Sequence, residues 1–103
     1  MIIYFATEEL LKLYETPLSN MKGKQKFSQD IIKQYKKKVQ LLIAIPKLEN
    51  LSQFRSLNFE QLKGNKKGQC SIRLNDQYRL ILVQISDRKL QIVMVNEISK
   101  HYE

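Results

Sequence analysis

The stretch LKGNKKGQCSIRLNDQYR, residues 62–79, carries the most informative pattern in the chain. Its first half is a lysine-rich loop between Gly64 and Gly68, two residues that can adopt backbone conformations closed to other amino acids. Its second half has the pattern of two β-strands joined by a polar turn, with Arg73 on the first strand and Arg79 on the second. The stretch therefore predicts a β-hairpin that displays positive charge beside a basic loop.

The length of the hairpin loop decides whether the two arginines share a face, because successive strand side chains point to opposite faces. A two-residue loop, Asn75-Asp76, would pair Ile72 with Arg79 and separate the arginines. A three-residue loop over 75–77 with a bulge would pair Ile72 with Leu80 and the two arginines with each other. We favour the longer loop because it gathers the apolar side chains on one face. Two like charges directly opposite each other repel, so this pair suggests a polyanionic ligand that offsets the repulsion. The alternative is that both arginines are solvated or salt-bridged residues of the surface.

The order of these motifs resembles the RelE superfamily of toxins from bacterial toxin-antitoxin pairs, and most closely its HigB branch. The matching motifs are Lys63-Gly64, Ser71-Ile72-Arg73 and Tyr78-Arg79, at the spacing usual for that branch. The resemblance extends over residues 48–103, and in the N-terminal half it is limited to the order of the elements. It implies a small α+β toxin that enters the ribosomal A site and cleaves messenger RNA there. It also implies a HigA-like antitoxin partner.

Length and composition fit a small folded protein. The 103 residues, of which 43% are hydrophobic, predict one domain spanning 1–103 with one modest core. We expect a cytoplasmic protein, because there is no signal-peptide pattern and no apolar stretch near the ~20 residues needed to cross a bilayer. The single cysteine, Cys70, cannot form an internal disulfide. Its alternation with Ile72 and Leu74 predicts a buried strand residue rather than a nucleophile.

The net charge of +8, from 18 basic and 10 acidic residues, predicts an anionic partner. Between positions 22 and 38 there are seven lysines, opposed only by Asp30. Such a patch would give salt-sensitive affinity for nucleic acid. A membrane surface or a merely solvated helix face are the alternatives. The predicted RNA-binding lysines are Lys22, Lys24, Lys26, Lys66 and Lys67.

The hydrophobic pattern predicts a β-α-α order followed by an antiparallel meander. Thr7 is suited to cap a first helix, and Ser28 a second one that ends before Pro46. Ile31, Ile32, Tyr35, Val39, Leu42 and Ile43 recur at helical spacing on the second helix and predict its core face. The predicted strands cover residues 2–6, 58–62, 69–74, 78–85 and 89–95, with a short helical or irregular piece over 48–57. This is an α+β fold in which the N-terminal strand and two helices pack on one face of a mostly antiparallel sheet, leaving the other face free.

Cleavage by the route of the RelE superfamily uses the neighbouring 2′-hydroxyl of the RNA as the nucleophile. Arg73 and Arg79 are assigned to phosphate binding and transition-state stabilisation, because a guanidinium stays charged and presents a planar fork to phosphate oxygens. Lys63 would add a third cation or take part in proton transfer. His101 is the candidate general acid or base, since it is the only side chain here whose unperturbed pKa lies near neutrality.

The C-terminal segment matches the HigB branch only loosely. That branch usually ends in an aspartate-tyrosine-histidine segment directly after the last strand, whereas here His101 and Tyr102 lie further along the chain and in reversed order. Glu97 matches the acidic position better than His101 matches the histidine. Tyr102 is a candidate for stacking on an RNA base, and a frayed surface tail is the alternative for both residues.

Cofactor chemistry finds no support in the sequence. One histidine, one cysteine and scattered carboxylates offer no metal-ligand set with recognisable spacing. The segment 64–68 lacks the ending of a P-loop and a following helix. The leading prediction is a metal-independent, ribosome-dependent endoribonuclease toxin without a cofactor. The alternatives are a ParE-like protein that inhibits DNA gyrase by binding, and an RNA-binding module without catalytic activity.

Overall fold

The computed structural model describes residues 1–64, 68–85 and 91–100. Its described strands form a mixed sheet in the order β1-β5-β4-β3-β2, in which β1 runs parallel to β5 and the other neighbours are antiparallel. The helices pack on one face of this sheet, so the predicted α+β fold class is confirmed. The N-terminal strand does not pack on that face with them, because β1 is an edge strand of the sheet itself. The elements are β1 Ile2–Phe5, α1 Glu8–Glu15, α2 Gln29–Ala44, β2 Glu60–Gln61, β3 Gln69–Arg73, β4 Tyr78–Gln84 and β5 Ile92–Lys100, with 3-10 helices at Leu18–Asn20, Leu48–Gln53 and Arg55–Leu57.

Both predicted helix caps are confirmed. The Thr7 hydroxyl accepts a hydrogen bond from the Leu10 backbone N–H at 3.2 Å, and the Ser28 hydroxyl accepts one from the Ile31 N–H at 3.3 Å. Each bond satisfies a donor that the first turn of a helix leaves without a partner. Helix α2 ends before Pro46 as predicted. None of the helices in the described part of the chain is long and apolar enough to span a membrane.

The core lies between α2 and the sheet. Ile31, Tyr35, Val39 and Leu42 of α2 are buried and belong to one cluster with side chains of β3, β4 and β5. The prediction that Ile43 joins them is wrong, because its side chain is 48% exposed. At about 100° per residue, Ile43 lies at the edge of the arc that contains the other side chains, and it occupies the last turn.

Two contacts join α1 to α2. The buried Tyr35 hydroxyl donates a hydrogen bond to the Leu10 carbonyl at 2.7 Å, and burial raises the pKa of this phenol. The Lys36 ammonium donates to the carbonyls of Tyr14 and Thr16, at 2.7 and 2.6 Å, where α1 ends. A cation is favourable at this end of a helix because the last carbonyls carry partial negative charge.

The last strand differs from its prediction. The hydrophobic pattern predicts an end at residue 95, but β5 continues to Lys100. Leu82 pairs with Val95 while Ile81 pairs with Glu97, which leaves Asn96 as an extra residue in β5. Such a β-bulge interrupts the alternation of side chains between the two faces. The alternating pattern therefore stops at the bulge although the strand does not. The predicted start at residue 89 lies outside the described residues.

Candidate functional site: the arginine cleft

The β3–β4 hairpin has the predicted three-residue loop. The Leu74 backbone N–H donates to the Tyr78 carbonyl at 2.9 Å, and Arg73 pairs directly with Arg79. The side-chain oxygen of Asn75 accepts hydrogen bonds from the backbone N–H groups of Gln77 in the loop and Tyr78 at the start of β4, each at 2.8 Å. This is the local bond that makes asparagine favourable in turns. The two arginines therefore lie side by side on the face of the sheet opposite the helices.

Arg79 is held in place by neighbouring groups and is only 8% exposed. Its Nε donates to the Ser71 hydroxyl at 2.8 Å, and its Nη2 donates to the Ser71 carbonyl at 3.3 Å and to the Asn58 carbonyl. Nη1 makes no hydrogen bond with any residue that the structure describes. The expectation of a free sheet face is wrong at this end, because the chain around Asn58 crosses it. Buried guanidinium groups need such partners, which here also fix the orientation of the fork.

Arg73 is more accessible than Arg79, with a side chain that is 43% exposed. Its Nη2 forms an ion pair with Asp76 in the hairpin loop, whose side chain is 88% exposed. Pairs this exposed contribute about 1 kcal/mol or less. An incoming phosphate can therefore replace the Asp76 carboxylate at small cost.

The two arginines open onto a cleft of about 200 Å³. Strand register places Glu60 on the same face as the two arginines. Glu60 of β2 pairs with Ser71 of β3, and Ser71 lies two residues before Arg73, which pairs with Arg79. The cleft contains two guanidinium groups, two carboxylates and two amides. Its lining residues are Asn58, Glu60, Arg73, Asn75, Asp76 and Arg79. We call this set the arginine cleft.

Four of these six residues were missed in the sequence: Asn58, Glu60, Asn75 and Asp76. Asn58 has a positive φ of 48° and directly follows a 3-10 helix, a position where asparagine is a usual terminating residue. That signal predicts a helix end, but not that its carbonyl meets Arg79. Glu60 enters the cleft through the β2–β3 pairing, which is only two residues long. A pairing this short leaves too little pattern in the sequence to be recognised.

Lys63 is the one further predicted catalytic residue that the structure describes, and it does not line the arginine cleft. Lys63 is exposed at the base of the basic loop and is not among the cleft residues, and within the described chain it makes no hydrogen bond or ion pair. Gly64 and Gly68 have φ values of 68° and 89°, as their predicted role in that loop requires. The predicted site residues Lys66, Lys67, His101 and Tyr102 lie outside the described residues.

A second group of predicted cations lies between α1 and α2. Lys22, Lys24 and Lys26, which we call the loop lysines, are all exposed. Lys26 lies 5.6 Å from the centre of the Phe27 ring. Their role in RNA binding stays a prediction.

Cys70 is buried, and burial raises the pKa of its thiol to about 12. It pairs with Leu82 and lies on the face opposite the arginines. A thiol with so high a pKa carries almost no reactive thiolate near neutral pH. The prediction of a buried strand residue is confirmed.

Comparison with known proteins identifies the family. A profile of HigB-like toxins, described as the RelE-like toxin of the type II toxin-antitoxin system HigB, matches residues 4–97. The chain belongs to the HigB-like toxin family. The resemblance seen in the hairpin motifs is thereby confirmed. Family membership implies a toxin of a type II toxin-antitoxin system.

Two individual proteins are similar to this HigB-like chain. Toxin HigB-1 of Vibrio cholerae serotype O1 is 74% identical over 23 residues, which is 22% of this chain and 24% of the relative. The aligned part is thus about a quarter of that relative's length. The solved structure of a YoeB/ParE toxin from Agrobacterium tumefaciens aligns over 99% of this chain and 100% of its own, with 18% identity and a TM-score of 0.58. At this identity the similarity concerns the fold.

Proposed function

We propose that this HigB-like chain is a ribosome-dependent, metal-independent endoribonuclease that cleaves messenger RNA. The observation that carries the proposal is the pairing of Arg73 with Arg79 on one face, inside a cleft that also holds carboxylates. Two guanidinium groups meeting at one small cleft are suited to bind a phosphodiester and the extra charge of its transition state. As translating ribosomes lie in the cytoplasm, we propose that the protein acts there.

The two arginines have different tasks in this mechanism. Arg79 is held by Ser71 and Asn58, so its remaining donors meet the phosphate in a fixed orientation. Preorganised donors of this kind are worth about 3 kcal/mol in the barrier. Arg73 exchanges the exposed Asp76 carboxylate for a phosphate oxygen. One arginine is thus fixed in advance and the other is recruited by the substrate.

Glu60 is our candidate for the general base that takes the proton of the 2′-hydroxyl. Its carboxylate lies in the cleft with both arginines and has no ion pair with any described residue. The other carboxylate of the cleft, Asp76, forms an ion pair with Arg73 and is therefore less suited to act as the base. Protonation of the leaving 5′-oxygen is assigned to His101. Tyr102 stacks on an RNA base, and Lys63, which does not line the cleft, supplies a further cation for the RNA.

The remaining lysines supply affinity rather than chemistry. The loop lysines, together with Lys66 and Lys67, bind RNA backbone on the ribosome in a salt-dependent way. A HigA-like antitoxin silences the toxin in the uninduced cell. Acidic groups on that partner suit a toxin with a net charge of +8.

The test is to express the protein and map messenger RNA ends. Cuts are expected within translated frames, and in vitro only when the messenger is bound to ribosomes. The double substitution Arg73→Ala with Arg79→Ala should abolish cutting, while circular dichroism and the melting temperature show that the variant is folded. Intact transcripts together with DNA breaks would indicate gyrase inhibition instead. RNA binding without cutting or toxicity would indicate a plain binding module.

A further inference from the structure

The two edges of the described sheet differ in how they are protected. β2 forms one edge with Glu60 and Gln61, two exposed polar residues. β1 forms the other edge with the apolar sequence IIYF, and in the described sheet it pairs only with β5. Soluble proteins protect edge strands with charged side chains, prolines, bulges or very short strands. β2 is very short and carries a charge, whereas β1 has none of these features.

The outer side of β1 carries backbone groups without a hydrogen-bond partner in the described chain. On the inner side, the N–H groups of Ile2 and Ala6 donate to carbonyls in and directly before β5, at 3.1 and 2.9 Å. In an extended strand the N–H and C=O of one residue point to the same side, and the sides alternate along the chain. The backbone groups of Ile3 and Phe5 therefore point away from β5, where the described sheet has no further strand.

Exposed apolar side chains flank this edge on both faces of the sheet. Ile3 packs against the core, so its neighbours Ile2 and Tyr4, which are 43% and 55% exposed, lie on the face opposite the helices. On the helix side Ile43 is 48% exposed, and its carbonyl accepts a hydrogen bond at 2.9 Å from the nitrogen of Met1. Three of the five large apolar side chains that are exposed in the described residues thus lie at one edge. Such a concentration is typical of a surface that another molecule covers.

The absence of charge at this edge indicates what kind of molecule covers it. Residues 1–6, MIIYFA, contain no charged side chain, although the whole chain has a net charge of +8. RNA would find no cation here, and an acidic protein would find none to pair with. Two copies of a basic chain repel each other wherever their lysines meet. A neutral, apolar edge is the place where such copies can approach each other.

We propose that β1 pairs with the β1 strand of a second copy of this chain, antiparallel and around a two-fold axis at Tyr4. Ile3 of each copy then lies opposite Phe5 of the other, and each such pair exchanges two hydrogen bonds. All the outward N–H and C=O groups of both strands are thereby satisfied. An axis at Ile3 would need the nitrogen of Met1, and an axis at Phe5 would need the carbonyl of Thr7. Both of these atoms are already hydrogen-bonded.

This register brings the two Tyr4 side chains together on the face opposite the helices. They form a non-hydrogen-bonded pair, the position at which cross-strand neighbours are closest and aromatic pairs are favourable. Ile2 of each copy lies opposite Ala6 of the other, so both exposed side chains of β1 lose contact with water. The arginine cleft stays uncovered, because β5 lies between β1 and the strands that form it. The proposal therefore does not depend on whether the protein cuts RNA.

The first experiment measures the mass of the full chain by sedimentation equilibrium over a range of protein concentrations. The protein carries Arg73→Ala and Arg79→Ala so that it can be produced safely. We expect a monomer–dimer equilibrium below about 1 mM protein. Added salt should strengthen the dimer, since it screens the repulsion between two basic chains. It would weaken a complex with RNA instead.

Two further variants place the same charge at and away from the edge. Tyr4→Lys sets two cations against each other at the axis and should weaken the dimer about tenfold or more. Ile85→Lys is the matched control and should change the dissociation constant less than about threefold. Ile85 is 44% exposed, and its N–H donates to a carbonyl of β5, so β5 separates it from β1. The melting temperature of each variant shows that it is folded.

Cysteine cross-linking tests the register of the proposed pair. Directly opposite residues of a non-hydrogen-bonded pair have Cα atoms about 4.5 Å apart, so Tyr4→Cys should form a disulfide-linked dimer under mild oxidation. Ile2→Cys lies on the same face of the same strand, but the two copies of that cysteine would be about 13 Å apart. It should cross-link at least about tenfold more slowly. Cys70 is buried and does not compete.

Four results would overturn the proposal. The first is a monomer at every protein concentration, and the second is equal weakening of the dimer by Tyr4→Lys and Ile85→Lys. The third is cross-linking of Tyr4→Cys that is no faster than that of Ile2→Cys, because the axis would then not lie at Tyr4. The fourth is a monomer whose Tyr4→Lys variant loses affinity for the purified product of the gene adjacent to the toxin gene. That result would assign the edge to a different protein.

Discussion

Arg79 shows how one side chain can be prepared for its task before the ligand arrives. Its Nε and Nη2 are bound by Ser71 and Asn58, so the fork cannot turn away from the cleft. Fixed donors need no reorganisation during the reaction, which is why preorganised groups contribute most to lowering a barrier. The cost of holding a buried charge is offset by the three hydrogen bonds.

If the proposed function is right, Arg79→Lys should abolish RNA cleavage although it keeps the positive charge. A lysine ammonium cannot donate to Ser71 and Asn58 and also present two parallel donors to a phosphate. We expect the initial rate of cleavage of ribosome-bound messenger RNA to fall at least about 100-fold. Arg55→Lys is the control, because Arg55 is exposed and lies outside the cleft. A rate within threefold of the unsubstituted protein would show that the fork geometry is not needed.

Asp76 is expected to act as an internal competitor of the substrate. Replacing it by asparagine frees Arg73 and removes a negative charge from the cleft, so Asp76→Asn should tighten RNA binding. The gain is limited to about fivefold, since an ion pair this exposed contributes about 1 kcal/mol or less. Binding is measured by fluorescence anisotropy on an oligonucleotide. Glu15→Gln makes the same change of charge elsewhere on the surface. An equal gain in that control would mean that only net charge matters.

Secondary-structure elements were predictable where the determining interactions are local. The caps at Thr7 and Ser28 and the three-residue hairpin loop depend on residues a few positions apart, and all were predicted. The burial of Arg79 was not, because the Asn58 carbonyl that covers it comes from 21 residues away. The end of β5 was missed because the bulge at Asn96 breaks the alternation that identifies a strand. The sequence thus predicted the pairing of the arginines, but not the groups that hold them.

The joint between α1 and α2 provides a test of a contact that spans two elements. Lys36 donates to the last carbonyls of α1, whereas its neighbour Lys37 is exposed and has no such contact. Lys36→Met should lower the free energy of unfolding in urea by about 1 kcal/mol, because two carbonyls lose a charged donor. Lys37→Met removes the same charge and should leave the free energy nearly unchanged. Equal effects of the two substitutions would refute the capping role.

Across the protein as a whole, the arginine cleft, where we propose that RNA is cleaved, and the loop lysines occupy separate regions. The arginine cleft lies on the sheet face opposite the helices, while the loop lysines lie between α1 and α2. Hydrogen bonds fix the Arg79 fork in the cleft, whereas the ammonium groups of the loop lysines have no hydrogen-bond partner among the described residues. This division predicts that the two regions affect different kinetic parameters, since a group that binds substrate and transition state equally changes KM alone.

Replacing the loop lysines by glutamine should therefore raise KM for ribosome-bound messenger RNA and leave kcat within about twofold. For every lysine that no longer neutralises a phosphate, the slope of log affinity against log salt concentration should also fall by about 0.7, the value for single-stranded nucleic acid. Initial rates at several salt concentrations measure both effects. The control replaces three other exposed lysines by glutamine: Lys33, Lys37 and Lys47. If the control shifts KM equally, the field of the whole protein attracts RNA; if kcat falls instead, the loop lysines act in the chemical step.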